Sequence, residues 1–286
     1  MVAIDSASAT TIVDSSSHAL LEELNAKRKK WRLWPGVAAL SILTLLIAMS
    51  KGLPTWALTA LGLLGAVAVV LVHQKDQLRK TVVLMYELDA GMERAVEAMH
   101  SGANALATAS AAWHVSSHAA VFEPKYHAGA NAVVERQPTR FIVKPPPFVQ
   151  TNVQTLAVNV GGQTLHFFPD RVLVYDSNGV GAVSYQELEV RVSSTRFIEE
   201  GGVPRDATVV DRTWRYVNKT GGPDRRFKDN REIPVCQYEE VALRSDTGLN
   251  KLLQVSRLGS AAGFASALAA LAHAMPPEIG MARPSR

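Results

Sequence analysis

Two runs without a single charged side chain, Leu33–Ser50 (LWPGVAALSILTLLIAMS) and Leu53–Val72 (LPTWALTALGLLGAVAVVLV), lie two residues apart near the start of this 286-residue chain. Each approaches the ~20 residues that, at ~1.5 Å of rise apiece, carry a helix across a bilayer core. Lys51-Gly52, with Pro54 just beyond, leaves room only for a tight turn with proline in the first turn of the second helix. The pattern predicts a transmembrane hairpin whose ends emerge on one side. Lys27, Arg28, Lys29, Lys30 and Arg32 precede the first span and Lys75, Arg79 and Lys80 follow the second, against Lys51 alone between them. Basic residues stay on the cytoplasmic side, so both termini are expected in the cytoplasm. Trp31 and Trp34 at one boundary and Trp56 at the other suit headgroup-level anchors. A signal peptide would begin earlier and would not be followed at once by a second apolar run. Gly62 and Gly65, with Ala60, Ala66 and Ala68, offer a small-residue face, for packing within the hairpin or between copies. No ionisable side chain lies in either run, so a proton relay has no visible machinery.

Charge follows the same division. The formal balance is +4, and residues 1–80 carry nine Lys/Arg against five Asp/Glu, whereas the remainder carries 21 of each. The excess is therefore a membrane flank, and no nucleic-acid partner is expected. Cys236 is the only cysteine, which excludes an intramolecular disulfide and a multi-cysteine metal site.

Five segments are predicted. Residues 1–32 read as a disordered, Ser/Thr/Ala-rich N-terminus ending in the basic flank, 33–72 as the hairpin, 73–122 as a cytoplasmic helical stalk, 123–275 as a β domain with a C-terminal helix, and 276–286 as a tail. The stalk is free of proline until Pro124 and repeats large apolar residues every seventh position, at Leu78, Met85, Met92, Met99, Leu106 and Trp113. Val82, Asp89, Val96, Ala103 and Ser110 complete a mediocre heptad, so the stripe serves either self-association or packing on the downstream domain. Gly91 and Gly102 each cost about 1 kcal/mol in a helix interior and suggest a break. His114 and His118 would share a helical face at i, i+4, a weak candidate metal pair with Glu123 and His127 nearby in sequence.

Beyond Pro124 apolar residues alternate between Gly, Pro and Asn-Gly turn signals. Strands are predicted at Thr139–Val143, Leu156–Val160, Thr164–Phe168, Arg171–Tyr175, Gly181–Tyr185, Glu189–Phe197, Thr208–Asn218, Ile233–Ser245 and Leu252–Val255, with hairpin turns at Gly161-Gly162 and Asn178-Gly179. Ser260–Ala274 reads as an alanine-rich helix stopped by Pro276-Pro277. The expected fold class is α+β, with an antiparallel barrel or sandwich closed by that helix.

The segments TLHFFPDRVLVYDSNGVGAVSYQEL (164–188), TRFIEEGGVPRDATVV (195–210), TWRYVNKTGGPDRRFKDNREIPVCQYEEVAL (213–243) and GLNKLLQVS (248–256) resemble an uncharacterised bacterial domain family whose pattern covers roughly Leu84 to Leu271. That resemblance transfers no chemistry, but with the apolar hairpin it implies a bacterial inner membrane as the location. The order of strands and closing helix is also similar to pleckstrin-homology-like (PH-like) domains, which implies a small barrel used for binding.

Arg212–Glu232 (RTWRYVNKTGGPDRRFKDNRE) concentrates basic residues: Arg212, Arg215, Lys219, Arg225, Arg226, Lys228 and Arg231 stand among Asp224, Asp229 and Glu232. Either the guanidinium forks around the Gly221-Gly222-Pro223 turn bind an anionic ligand, lipid headgroup or acidic protein surface, or the three acids pair with them to hold a long loop. No phosphate loop, nucleophile elbow, HExxH or kinase motif is present, and no catalytic group or cofactor is expected. Asp170, Asp176, Glu199, Glu200 and Asp206 read as turn and surface carboxylates, and Cys236 as a buried small hydrophobe. The sequence thus leads to a membrane-anchored binding or scaffolding protein with a protein partner or a second copy of itself. The alternative is a signal-gated two-span effector, for example in antiphage defence, that oligomerises to breach the membrane.

Overall fold

The computed structural model describes residues 2–14, 17–120, 128 and 132–275, and the chain forms two compact units. Along it come β1 (Val2–Ala3), a 3-10 turn at Ala9–Thr11, α1 (His18–Lys29), α2 (Trp34–Ser50), α3 (Thr55–Lys80), β2 (Val82–Leu84) and α4 (Ala90–Ala107). There follow β3 (Ala112–Ala120), β4 (Ala132–Pro138), β5 (Phe141–Val143), β6 (Val149–Thr151), β7 (Leu156–Val160), β8 (Gln163–Phe167) and β9 (Arg171–Tyr175). The last elements are β10 (Val180–Ser184), β11 (Glu189–Ile198), β12 (Thr208–Trp214), β13 (Glu232–Arg244), β14 (Asn250–Val255) and α5 (Ala262–Ala274).

One unit comprises residues 22–85 and 147–152. Within it α2 and α3 pair as a hairpin through a turn in which Gly52 takes φ +70°. Both helices are long and apolar enough to cross a membrane, and Leu40, Ile42, Leu63 and Leu64 point outward, each more than 60% exposed. Gly65 is where the helices touch: a Cβ there would stand 3.0 Å from Cβ of Ser41. Asp76 of α3 accepts the N–H of Trp34 at 2.9 Å and that of Leu33, satisfying donors that the start of α2 leaves without intrahelical partners. Lys27 donates to the Thr81 carbonyl at 2.9 Å, and β2 pairs in parallel with β6.

The other unit, residues 1–21, 86–146 and 153–286, holds both antiparallel sheets. In the seven-stranded sheet β4 pairs β3, β3 pairs β14, β14 pairs β13 and β13 pairs β11; β1 adds to β3 and β12 to β13. The five-stranded sheet runs β10-β9-β8-β7-β5. Val241, Leu243, Leu253 and Val255 of the first, Val158, Leu165, Phe167, Val172 and Val174 of the second, Met99 and Leu106 of α4, and Phe264 and Leu268 of α5 form one buried core.

Several expectations need correction. The sheets do not close into a barrel: no ladder among the described residues joins them. The 73–122 stalk breaks ahead of Gly91, as the glycines suggested, but its last part is not helical. Asp89 accepts the N–H groups of Gly91 and Met92 at 2.8 Å each and so starts α4 afresh, and the chain is already a strand at Ala112. The heptad stripe is thereby divided: Met99 and Leu106 are buried in the core, Leu78 and Met85 are exposed, and Trp113 stands in β3. Gly102 does not break α4. A Cβ there would meet N and Cα of Phe264 at 2.6 Å, so glycine is what lets α5 cross α4 closely.

The start of the chain is not a loose tail either. Ile4 donates its N–H to the Ser116 carbonyl, Asp5 pairs with buried Lys251 at 3.0 Å, and the Ala9 N–H reaches Asp176 at 2.7 Å. Ile12 is fully buried, and its carbonyl accepts the Ala182 N–H at 2.9 Å. Ser/Thr/Ala composition resembles that of a solvated tail, whereas here the small side chains let a strap lie close to β10. The predicted 276–286 tail lies outside the described residues.

Gly102→Ala is expected to lower stability by about 1–3 kcal/mol through overpacking at the helix crossing. Gly162→Ala, which meets nothing within 4 Å, is expected to be close to neutral. Thermal melts of the full chain test the pair, and equal melting temperatures for the two variants would contradict the close crossing.

Candidate functional site

The Arg212–Glu232 segment begins in β12 and returns in β13, and it is tied down by its own acids. Arg215 pairs with Asp229 at 3.0 Å and Arg212 with Glu232 at 3.6 Å. Arg226 grips the buried Asp224 carboxylate with two parallel bonds of 2.9 and 2.6 Å. Asn218 Oδ1 accepts the N–H groups of Thr220 and Gly222 at 2.9 Å, Gly221 takes φ +85°, and Tyr216 stacks on Phe227 at 4.0 Å. Arg231 donates to the Glu200 carbonyl at 3.4 Å. Lys219, Arg225 and Lys228 are exposed and form no ion pair among the described residues. The seven basic residues therefore divide into loop ties and an outward-facing remainder.

A cavity of about 870 Å³ lies beside this loop, with Thr213, Val217 and Gly221 on one wall. Its floor belongs to the seven-stranded sheet. Strand register places Trp113, Arg136, Phe197, Tyr238, Glu240 and Gln254 on one face, opposite the face that carries Val241, Leu243, Leu253 and Val255 into the core. The sheet thus has two organised faces, where a simple core-in, solvent-out strand pattern would have one.

Arg136 dominates that floor. It stands on β4, yet Cζ lies 3.9 Å from the ring centroids of both Trp113 on β3 and Phe197 on β11. Four strand spacings separate β4 from β11, about 19 Å on a flat sheet at ~4.8 Å each, which is farther than the two side chains reach. The sheet must therefore curl into a trough with β4 and β11 as its rims. Arg136 also donates to Glu199 at 2.6 Å and to the Gln254 side-chain carbonyl at 3.2 Å. The Tyr238 hydroxyl donates to the same Glu199 oxygen at 2.7 Å, and the Gln254 amide N–H donates to Glu240 at 3.3 Å. Side-chain exposure is 14% for Arg136 and 7% for Glu199, so this is a desolvated pair that its hydrogen bonds must compensate. Burial pushes the Glu240 carboxyl above its ordinary range, against the opposing effect of the Gln254 hydrogen bond. Burial and the Glu199 carboxylate push the Tyr238 phenol up, so it stays a donor.

Sequence reading placed Glu199 among surface carboxylates, and it missed Arg136, Tyr238, Glu240 and Gln254. The only available signal was alternation in β13, where Tyr238 and Glu240 interleave with Val241 and Leu243. That pattern is indistinguishable from a strand with one solvated face. Asp170, Asp176 and Asp206 are structural acceptors, for Tyr86 at 2.8 Å, Ala9 at 2.7 Å and Ser256 at 2.7 Å respectively. Cys236 is fully buried in β13.

The histidine pair is also redrawn. Residues i and i+4 are neighbours on a helix, but β3 is extended, and its rise of ~3.3 Å per residue separates His114 from His118 by about 13 Å along the strand. Glu123 and His127 lie outside the described residues, and among the described residues no group of three or more His, Cys, Asp or Glu side chains is arranged for a metal. His114 is instead buried with neither ring nitrogen hydrogen-bonded, and burial and Lys251 hold its pKa down to about 4. His166, equally buried, is held at about 4, mainly by desolvation.

Comparison of the chain with protein-family models, with curated proteins and with solved structures returns no match. The functional reading rests on the geometry above.

Both histidines stay neutral when folded and take a proton first when unfolded, so stability is expected to fall as pH drops from about 6.5 and to level off near 4. Each contributes a loss of about 2 kcal/mol between pH 7.5 and 5, since one pKa unit is ~1.4 kcal/mol. Urea unfolding of wild type and His114→Leu at both pH values checks this. A drop of unchanged size in the variant would contradict the role given to His114.

Proposed function

We propose that this is a membrane-anchored binding protein: the α2–α3 hairpin holds the chain in a bacterial inner membrane, and the α+β domain, in the cytoplasm, takes a ligand in the trough. The observation that carries this reading is the trough itself. A cavity of about 870 Å³, with aliphatic and aromatic walls and a few fixed polar groups, falls in the size and character range of small-molecule sites. The outward apolar surface of both hairpin helices supports the anchor, as does the basic flank on either side of it. Lys219, Arg225 and Lys228 supply a surface where an anionic protein or lipid headgroup would dock. Near an anionic leaflet each would gain up to about 1 kcal/mol. With this trough as its ligand site, the domain is read as a sensor or scaffold. The gated-effector alternative rests on the short paired spans, their small-residue face and the domain that follows; on that face Gly65 packs against Ser41 within the hairpin, while a Cβ at Gly62 would meet nothing within 4 Å.

A fragment library screened by saturation-transfer NMR against the full chain in lipid nanodiscs is expected to yield hits that Thr195→Trp, which fills the trough, abolishes. The melting temperature should stay within a few degrees of wild type. Hits indifferent to that substitution would place binding elsewhere and overturn the proposal.

A further inference from the structure

The carboxylates of the trough floor outnumber its cation, and that balance selects the ligand. Arg136 donates to Glu199 and to Gln254, Gln254 donates onward to Glu240, and Tyr238 donates to Glu199. These bonds use two of the five guanidinium N–H groups, and the ring contacts with Trp113 and Phe197 fix where the guanidinium lies, so it is the surplus of carboxylates over cations that sets the charge a ligand should carry. Among the described residues, Glu199 Oε1 and Glu240 Oε2 receive no hydrogen bond, and both residues line the cavity. Two carboxylates share one interior guanidinium, so the floor carries an excess negative charge. The exposed rim residues Arg196 and Glu200 offset each other.

An anionic head placed here would meet two carboxylates with the interior cation already engaged. An ammonium or other N–H-rich cation would donate to the free Glu240 oxygen, and its charge would pair with a partly buried carboxylate that has no ion-pair partner among the described residues. The cavity is otherwise walled by apolar residues, with Val133, Val134, Ile198, Val217 and Val235 beside Phe197.

We propose that the trough binds an amphiphilic amine, with the cationic head against Glu240 and the apolar body along the aliphatic wall. This inference rests on the reading of the trough as a ligand site and names its ligand class. The anionic partner suggested by the basic loop belongs to the outer surface and not to this interior.

The test uses a matched, water-soluble series: phenylbutylamine, phenylbutanol and phenylbutyrate, titrated by calorimetry into the full chain in nanodiscs, with empty nanodiscs subtracted. The amine is expected to bind at least tenfold more tightly than either analogue. Glu240→Gln, which keeps the shape and the Gln254 contact, should erase that preference while leaving the alcohol unchanged. Thr195→Trp should abolish binding of all three. If the alcohol or the carboxylate binds as well as the amine in a manner sensitive to Thr195→Trp, the amine inference fails and the trough remains a ligand site. If the amine binds but ignores both substitutions, the head is elsewhere and this inference fails. If no member binds, both the ligand class and the underlying reading are contradicted.

Discussion

The stacking of Arg136 across the curled sheet is the contact on which the rest of the site depends. A guanidinium tolerates this position because it is planar: its faces suit aromatic rings while its edge donates to carboxylate and amide in the same plane. Trp113, Phe197 and Tyr238 come from three different strands, so one side chain holds β4 and β11 close over a five-strand path. Without a closed barrel to impose curvature, this polar-aromatic clamp maintains the hollow. The desolvation cost of the Arg136–Glu199 pair is offset by the hydrogen bonds from Tyr238 and to Gln254, and the remainder is spent on one shape of the trough.

The core beneath is organised on different terms. On the opposite face of the same strands, Val241, Leu243, Leu253 and Val255 join the second sheet and the α4–α5 pair in ordinary apolar packing, with glycine at the closest backbone approaches. Gly181 shows the rule outside the helices, because a Cβ there would sit 2.1 Å from the Ala9 carbonyl of the N-terminal strap. Segregating packing to one face and a directed hydrogen-bond network to the other lets the domain keep a wet, shaped hollow without weakening the core that supports it.

Much of this was legible in the sequence where local signals are strong. Uncharged runs with basic flanks mark α2 and α3, and Gly161-Gly162 and Asn178-Gly179 delimit β7 and β9 residue for residue. Legibility ended where long-range pairing overrides local preference. Ala112–Ala120 continues an alanine-rich segment and reads as helix, yet it is extended because β14 and β4 pair with both of its edges. The strap at Val2–Ile12 has the composition of a tail and is held by contacts more than 100 residues away along the chain, from Ser116 and Asp176 to Lys251. The basic loop was visible as a charge cluster, but which arginines are spent on Asp224, Asp229 and Glu232 is a matter of geometry. Arg136 and Glu199 are separated by 63 residues, and nothing in their neighbourhoods announces that they meet.

The central claim, that Arg136 holds the two rims together, is tested most directly by electron–electron distance measurement across the trough. Spin labels on Gln137→Cys of β4 and Ser194→Cys of β11, with Cys236→Ala to remove the native thiol, report the separation in the full chain. The account predicts a single narrow distribution in this background and a longer, broader one when Arg136→Gln is added, with the helical content of the protein unchanged. The same narrow distribution with and without the guanidinium would show that the sheet curls for another reason and would contradict the account.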